Sequence, residues 1–235
     1  MQNPAEAHGR ADARGESPVL TIEIWSDVVC PWCYLGKRRW ESALARFPHA
    51  DDIRTEWRAF ELRPHQPTVP GDTLEETMRR DGHTKSELDG IFRWIGELGE
   101  QQGIVLQPQH YRPVNSFDAH RLVKLAASHG LADTMTERIL RAYHEELRNI
   151  ADHGVLRALA KDAGVPADEV AALLAEDAHA DEVRADEAVA ARIGVTSVPS
   201  FVVDGREAVH GVLETDALSA MLEQVWARHT AAAGS

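Results

Sequence analysis

The chain holds two cysteines, and they stand three positions apart in Cys30-Pro31-Trp32-Cys33. A bond between them would close so short a loop that it would constrain the unfolded chain very little. A chain of 235 residues, 43% hydrophobic, can also bury a sizeable core without covalent staples. The pair therefore reads as chemistry and not scaffolding. That chemistry is thiol–disulfide exchange: one thiolate attacks a disulfide sulfur, and the second thiol resolves the mixed disulfide.

The neighbouring elements support this reading. Val19 to Trp25 is rich in β-branched and aromatic residues and reads as a buried strand. Ser26 and Asp27 end it, and the cysteine motif opens a helix that runs through Leu44 and ends near Pro48. A Cys-x-x-Cys after a strand and at the start of a helix is a thioredoxin-like redox signature. Residues three apart on a helix share a face, with Cβ atoms about 5–6 Å apart, close to what a disulfide spans. Cys30 would face the unpaired N–H groups and positive dipole end of the helix. Its thiolate should be stabilised and its pKa lowered from the free value of about 8.5, which makes it the expected nucleophile. Cys33, one turn further in, is the expected resolving thiol. Pro31 suits the first turn, where a missing N–H costs nothing. Trp32 brings no charge, so a moderate shift and a less oxidising couple are expected than with histidine there.

Other readings of these residues remain open. Cys-x-x-Cys is also half of a zinc site, but zinc wants four ligands. The chain has no further cysteine, and no two of its 12 histidines lie within five positions of each other; no metal is expected. Asp27 could accept a proton from Cys33 if buried, or be a solvated strand-end carboxylate. Val198-Pro199, just before a strand, reads on its own residues as a trans turn. His210 is read as a surface hairpin residue and Arg38-Arg39 as a solvated helix face. Trp40, Trp57 and Trp94 read as core or packing aromatics and not as a ligand cage.

The positioning elements follow in order. Ile53 to Leu62 reads as a second strand, stopped by Arg63-Pro64, completing a βαβ unit. From Thr73 to about Ile193 the pattern is helical, in five or six segments. Thr84-Lys85-Ser86-Glu87 has the spacing of a capping box, and Gly103, Gly130, Gly164 and Gly194 sit as helix-ending glycines do. Phe201-Val202-Val203, the turn Asp204-Gly205 and Arg206 to His210 predict a hairpin. A last amphipathic helix begins near Thr215. Residues 1–18 read as a disordered tail without the apolar run of a secretory signal. That points to the cytoplasm, where disulfides are usually transient and catalytic. With 25 Lys and Arg against 38 Asp and Glu, a net of -13, the charge argues against nucleic acid as a main partner. No apolar run approaches the roughly 18 residues of a membrane span.

Trp25 to Arg39 closely resembles the DsbA-like family, in particular its FrnE-type subgroup of disulfide oxidoreductases. Phe60-Glu61-Leu62-Arg63-Pro64, Asn115 to Leu122 and Gly194 to Val203 agree in order and spacing, so the resemblance spans about residues 19–230. It implies an α/β thioredoxin-like fold (βαβ…ββα) interrupted by an all-helical insertion. The thioredoxin-like domain would take residues 19–63 and 181–230, and the insertion 64–180. The resemblance further implies that Val198-Pro199 is a cis-proline loop facing the cysteines, with Val198 offering its backbone to an extended substrate. Pro31, Trp32, Val198 and Pro199 are thus the expected substrate-binding residues. Two departures, Ser200 where an aromatic is more usual and His210-Gly211-Val212-Leu213 after the hairpin, bear on substrate identity. The expected partners are a disulfide- or thiol-containing protein or small molecule and an unidentified redox partner. No cofactor is expected, with glutathione left as a co-substrate. Two other functions stay open. One is a glutathione-dependent transferase or isomerase of the kappa-class or hydroxychromene-carboxylate isomerase type, whose members typically lack the second cysteine. The other is a chaperone-like binding protein working through its helical insertion.

Overall fold

The computed structural model describes residues 19–205 and 207–233. Strand β1 (Leu20–Ser26) is central. It pairs in parallel with β2 (Ile53–Ala59), from Leu20 opposite Ile53 to Ser26 opposite Ala59. On its other side it pairs antiparallel with β3 (Ser200–Val203), from Ile22 opposite Val203 to Trp25 opposite Ser200. A short edge strand, β4 (Glu207–His210), completes the order β2-β1-β3-β4. Parallel neighbours cannot be joined by a tight turn, and helix α1 (Pro31–Leu44) makes the β1–β2 crossover. Arg206, assigned to the hairpin from sequence, lies outside the described residues, as does the tail of residues 1–18.

Between β2 and β3 the chain is helical: α2 (Leu74–Arg80), α3 (Lys85–Gln101), α4 (Phe117–Ser128), α5 (Ala132–His144), α6 (His153–Ala163), α7 (Ala167–Ala175) and α8 (Ala180–Ile193). These are seven helices where five or six were expected, because α2 and α7, at 7 and 9 residues, are too short to display a clear period. The predicted capping box is formed: Thr84 N–H donates to Glu87 Oε2 at 2.8 Å, and Glu87 N–H to Thr84 Oγ1 at 3.3 Å. A second box, Thr73 with Glu76, starts α2. Gly164 and Gly194 close α6 and α8 in the left-handed conformation. After the hairpin, α9 (Thr215–Ala233) packs on α1. The fold is an α/β thioredoxin-like arrangement carrying an all-helical insertion.

Successive side chains of β1 point to opposite faces. Leu20, Ile22 and Ile24 enter the main core with Trp40 of α1 and with Leu218 and Leu222 of α9. Trp25 packs on the other face against Ala190 of α8, Val195 and Val202, and its indole N–H reaches Asp186 O at 3.4 Å. Both faces of β1 are covered, so its sequence reads as a nearly continuous apolar run. Glu23, the exception, is paired with Arg58 at 2.8 Å, and Arg58 in turn reaches Asp186 at 3.3 Å.

The main core does not stop at the insertion. Tyr34 and Trp40 of α1 belong to the same buried cluster as Leu122 of α4, Ile139 of α5 and Leu156 of α6. Polar contacts reinforce the junction. Lys37, its side chain fully buried, is held by Glu41, by Asp133 at 3.1 Å and by Glu137 at 3.4 Å, with its ammonium 5.7 Å from the Trp57 ring centre. Arg38 and Arg39 do not form the solvated face expected of them. Arg38 pairs with Glu41 and Glu137, while Arg39 is 3% exposed and bonds Glu214 at 2.9 Å and Leu213 O at 3.3 Å. A polar stripe on a helix looks solvent-facing in sequence, but here α5 and the segment before α9 cover it.

Candidate active site

The loop leaving β1 delivers Cys30 as the N-cap of α1, with extended backbone (φ -91°, ψ 117°) and its N–H bonded to Asp27 O at 3.1 Å. Pro31 takes the first helical turn. Cys30 O accepts the N–H groups of Cys33 at 3.0 Å and Tyr34 at 3.3 Å. Both cysteines are free thiols, close together and buried, Cys30 4% and Cys33 1% exposed.

Their surroundings differ. Cys30, Pro31 and Trp32 line a cavity of about 340 Å³. Both cysteines belong to the packed cluster of Trp25, Val195, Val198 and Val202, but Cys33 does not reach the cavity, and its sulfur receives the Asp27 N–H at 3.4 Å. Burial pushes the Cys33 thiol well above its ordinary value, and the adjacent Cys30 sulfur pushes it the same way.

The Val198–Pro199 peptide is cis. Its ring lies against the helix face that carries Cys33, one turn on, at Gly36. A Cβ on Gly36 would stand 2.9 Å from Pro199 Cγ, so only glycine admits this approach. Pro199 O accepts the Gly211 N–H at 2.8 Å, tying the loop to the end of β4. Ser200 is buried, its Oγ donating to Ser197 O at 2.6 Å and lying 2.8 Å from His210 Nδ1. His210 itself is exposed, as expected, and its ring is engaged with Ser200.

Asp27 is fully buried, which removes the solvated reading. Its Oδ2 accepts the Leu62 N–H at 2.7 Å and its Oδ1 the Val29 N–H at 3.3 Å; His120 Nε2 lies 3.5 Å from Oδ1. Beside it is Glu61, half-buried and bonded by Asn115 Nδ2 at 3.1 Å. Burial first, then the Glu187 and Asp27 carboxylates, push Glu61 up to about 7. Burial also pushes His144 down to about 3, its ring stacked on Tyr34 at 5.7 Å and edge-on to Tyr143 at 5.0 Å.

The structure thus brings Cys30, Pro31, Trp32, Cys33, Asp27, Val198 and Pro199 to one end of the sheet. Glu61 and His120 belong to the same place and were not singled out from sequence. Both lie in stretches that carried the resemblance, yet nothing in their spacing puts them beside Asp27. Of the three tryptophans read as packing residues, Trp40 and Trp57 are buried. Trp94 is 54% exposed and packs on Trp32 with ring centres 5.4 Å apart.

Among the described residues no group of three or more His, Cys, Asp or Glu side chains is placed to hold a metal ion, and no helix is long and apolar enough to cross a membrane. A crystal structure of a probable DsbA oxidoreductase from Streptomyces coelicolor superposes with a TM-score of 0.84 at 35% identity, covering 88% of this chain and 90% of that one. The cytosolic disulfide reductase DsbM from Pseudomonas aeruginosa, solved with GSH, shares the fold at 23% identity and a TM-score of 0.61, covering 88% of this chain and 99% of its own. In sequence, the Bacillus subtilis protein YwbO is 25% identical over 187 residues, 77% of this chain and 86% of YwbO. Residues 21–223 match the DSBA-like thioredoxin domain from β1 into α9, cysteines included. A sheet, a paired-thiol helix start and a helical insertion in that order, matched over most of the sequence, make this chain a member of the DSBA-like thioredoxin domain family.

Proposed function

We propose that the chain is a thiol–disulfide oxidoreductase that cycles between the Cys30–Cys33 dithiol and its disulfide. The observation that carries this is the asymmetry of the two sulfurs: Cys30 lines a cavity at a helix N-terminus, while Cys33 is packed behind it with its thiol pushed up by burial. A helix N-terminus favours negative charge, so Cys30 is the attacking sulfur. Its thiolate attacks a substrate disulfide; the Cys30–substrate S–S bond forms, the substrate S–S bond breaks, and one thiolate leaves to take up a proton. Cys33 then gives up its proton and attacks the Cys30 sulfur, which releases the second thiolate and leaves the enzyme disulfide. The oxidising direction is the reverse sequence.

Asp27, whose own N–H lies 3.4 Å from the Cys33 sulfur, is assigned as acceptor of the Cys33 proton. Glu61, which titrates near neutrality, then exchanges that proton with water. Val198 and Pro199 are assigned to holding the substrate chain across the cysteines, with Pro31 and Trp32 forming its other wall. The block Trp25 to Arg39 supports the FrnE-type subgroup, and a pair that cycles between dithiol and disulfide suits a cytoplasmic enzyme served by a separate dithiol reductant.

The test is trapping. Cys33→Ser should accumulate a stable mixed disulfide between Cys30 and a model disulfide substrate, seen by mass spectrometry, and lose turnover; Cys30→Ser should form no adduct. Full turnover in Cys33→Ser would instead support a single-cysteine, glutathione-dependent transferase or isomerase.

A further inference from the structure

The cavity beside Cys30 is unlike a site built for a peptide-like thiol. Its wall on the insertion side is apolar and includes Leu74 and Met78 from α2, Ile91 and Ile95 from α3, and the rings of Tyr111 and Tyr143. The apolar surface continues outward from the cavity. Leu62 is 45%, Ile91 39% and Trp94 54% exposed, and Trp94 leans on Trp32, one of the two residues between the cysteines. Large apolar side chains left in water around a concave site mark a place where something apolar docks. At about 340 Å³ the cavity lies within the range of small-molecule sites.

One charge breaks this lining. Arg63 is the single charged residue among those forming the cavity. Arg63 is exposed, and its guanidinium makes no ion pair or hydrogen bond with the described residues, so it is free to meet a charge on an occupant. In a chain of net charge -13, an unpaired arginine at the mouth of an apolar cavity is electrostatically complementary to an anionic group on the occupant.

We propose that this site takes a small thiol or disulfide whose sulfur is carried on an apolar body, aromatic or branched aliphatic, bearing one anionic group for Arg63. The assignment rests on the thiol–disulfide reading and narrows it to a substrate class. Glutathione fits this wall poorly: it brings an ammonium, two carboxylates and two peptide groups, and an apolar cavity would leave most of them unpaired. The reaction follows the course given above. Cys30 displaces one apolar thiolate from the disulfide, Cys33 displaces the other, and a dithiol reductant returns the two electrons.

The experiment uses the full chain with dithiothreitol as reductant and four disulfides: 4,4′-dithiodibenzoate, its uncharged bis-carboxamide, hydroxyethyl disulfide and oxidised glutathione. Each kcat/KM is divided by the uncatalysed rate of the same disulfide with dithiothreitol, which removes intrinsic leaving-group reactivity. The dibenzoate is expected to exceed hydroxyethyl disulfide and oxidised glutathione by at least about tenfold on this scale. Met78→Trp, which fills the cavity, should remove that preference, and Arg63→Gln should remove the preference for the dibenzoate over its carboxamide. Unreactive 4-(methylthio)benzoate should inhibit the wild-type chain competitively, a readout that needs no variant to fold. Equal enhancement for all four disulfides, or no inhibition by the thioether, overturns the proposed substrate class while leaving the oxidoreductase standing. No turnover of any disulfide would overturn the oxidoreductase reading itself.

Discussion

Glu61 offers the sharpest quantitative test of the site. Its carboxyl is half-buried beside Asp27 and is pushed up from an ordinary 4.5 to about 7, by burial first and then by the Glu187 and Asp27 carboxylates. The folded state therefore holds this proton in a pH range where the unfolded chain has released it. Between pH 4.5 and 7 the native state binds more protons, so this group's contribution to stability falls as pH rises and stays low above 7. Each tenfold change in proton affinity is worth about 1.36 kcal/mol, so the full displacement would correspond to about 3.4 kcal/mol. Glu61 is partly exposed, and water screens it; about 1–2 kcal/mol is the expected effect. Glu61→Gln keeps the oxygen that Asn115 Nδ2 donates to and removes the ionisation. Urea unfolding of both proteins should show little difference at pH 4.5 and the variant more stable by about 1–2 kcal/mol at pH 8. His144, pushed down to about 3 by burial, gives an opposite trend in acid, but that trend is common to both proteins and cancels in the difference. A pH-independent difference, or a variant less stable at pH 8, would refute the environment assigned to Glu61.

Two further perturbations address the support of the site. Gly36→Ala places a methyl 2.9 Å from Pro199 Cγ; overpacking of about 1–3 kcal/mol outweighs the gain of about 0.5–1 kcal/mol from alanine's helix preference, so unfolding should begin at lower urea and turnover should drop. Lys37→Ala empties a buried position and leaves Asp133 without its ion pair and Glu41 and Glu137 with Arg38 alone; because these carboxylates are partly exposed, a loss of about 1–3 kcal/mol is expected in chemical denaturation, where an unchanged midpoint would contradict the buried pairing.

Much of this fold was legible in sequence because its signals are local. The β-branched run of β1, the cysteines opening α1, the Thr84–Glu87 box and the Asp204-Gly205 turn each state their structure within a few residues. What the sequence misreads or leaves open are contacts across long separations. Arg39 looks solvated until Glu214 is brought over it, and Asp27 looks like a strand-end carboxylate until Leu62 and His120 close on it. Gly36 carries no local signal at all: it is glycine because a proline 163 positions later lies on it. The Cys30 cavity is of the same kind, since α2, α3 and the Tyr111 segment reach it from the insertion while Cys30 comes from the sheet.

The uninterrupted core has a consequence for engineering. Tyr34, on the helix that bears the cysteines, bonds Glu137 and stacks on His144 of α5, and it shares its buried cluster with side chains from α4 and α6. Pruning the insertion to a short turn would strip shelter from that helix and leave its buried lysine without two of its three counter-ions. Excision should thus yield no miniature catalyst, because the redox half and its helical addition share one core, are expected to melt together and would have to be transplanted together.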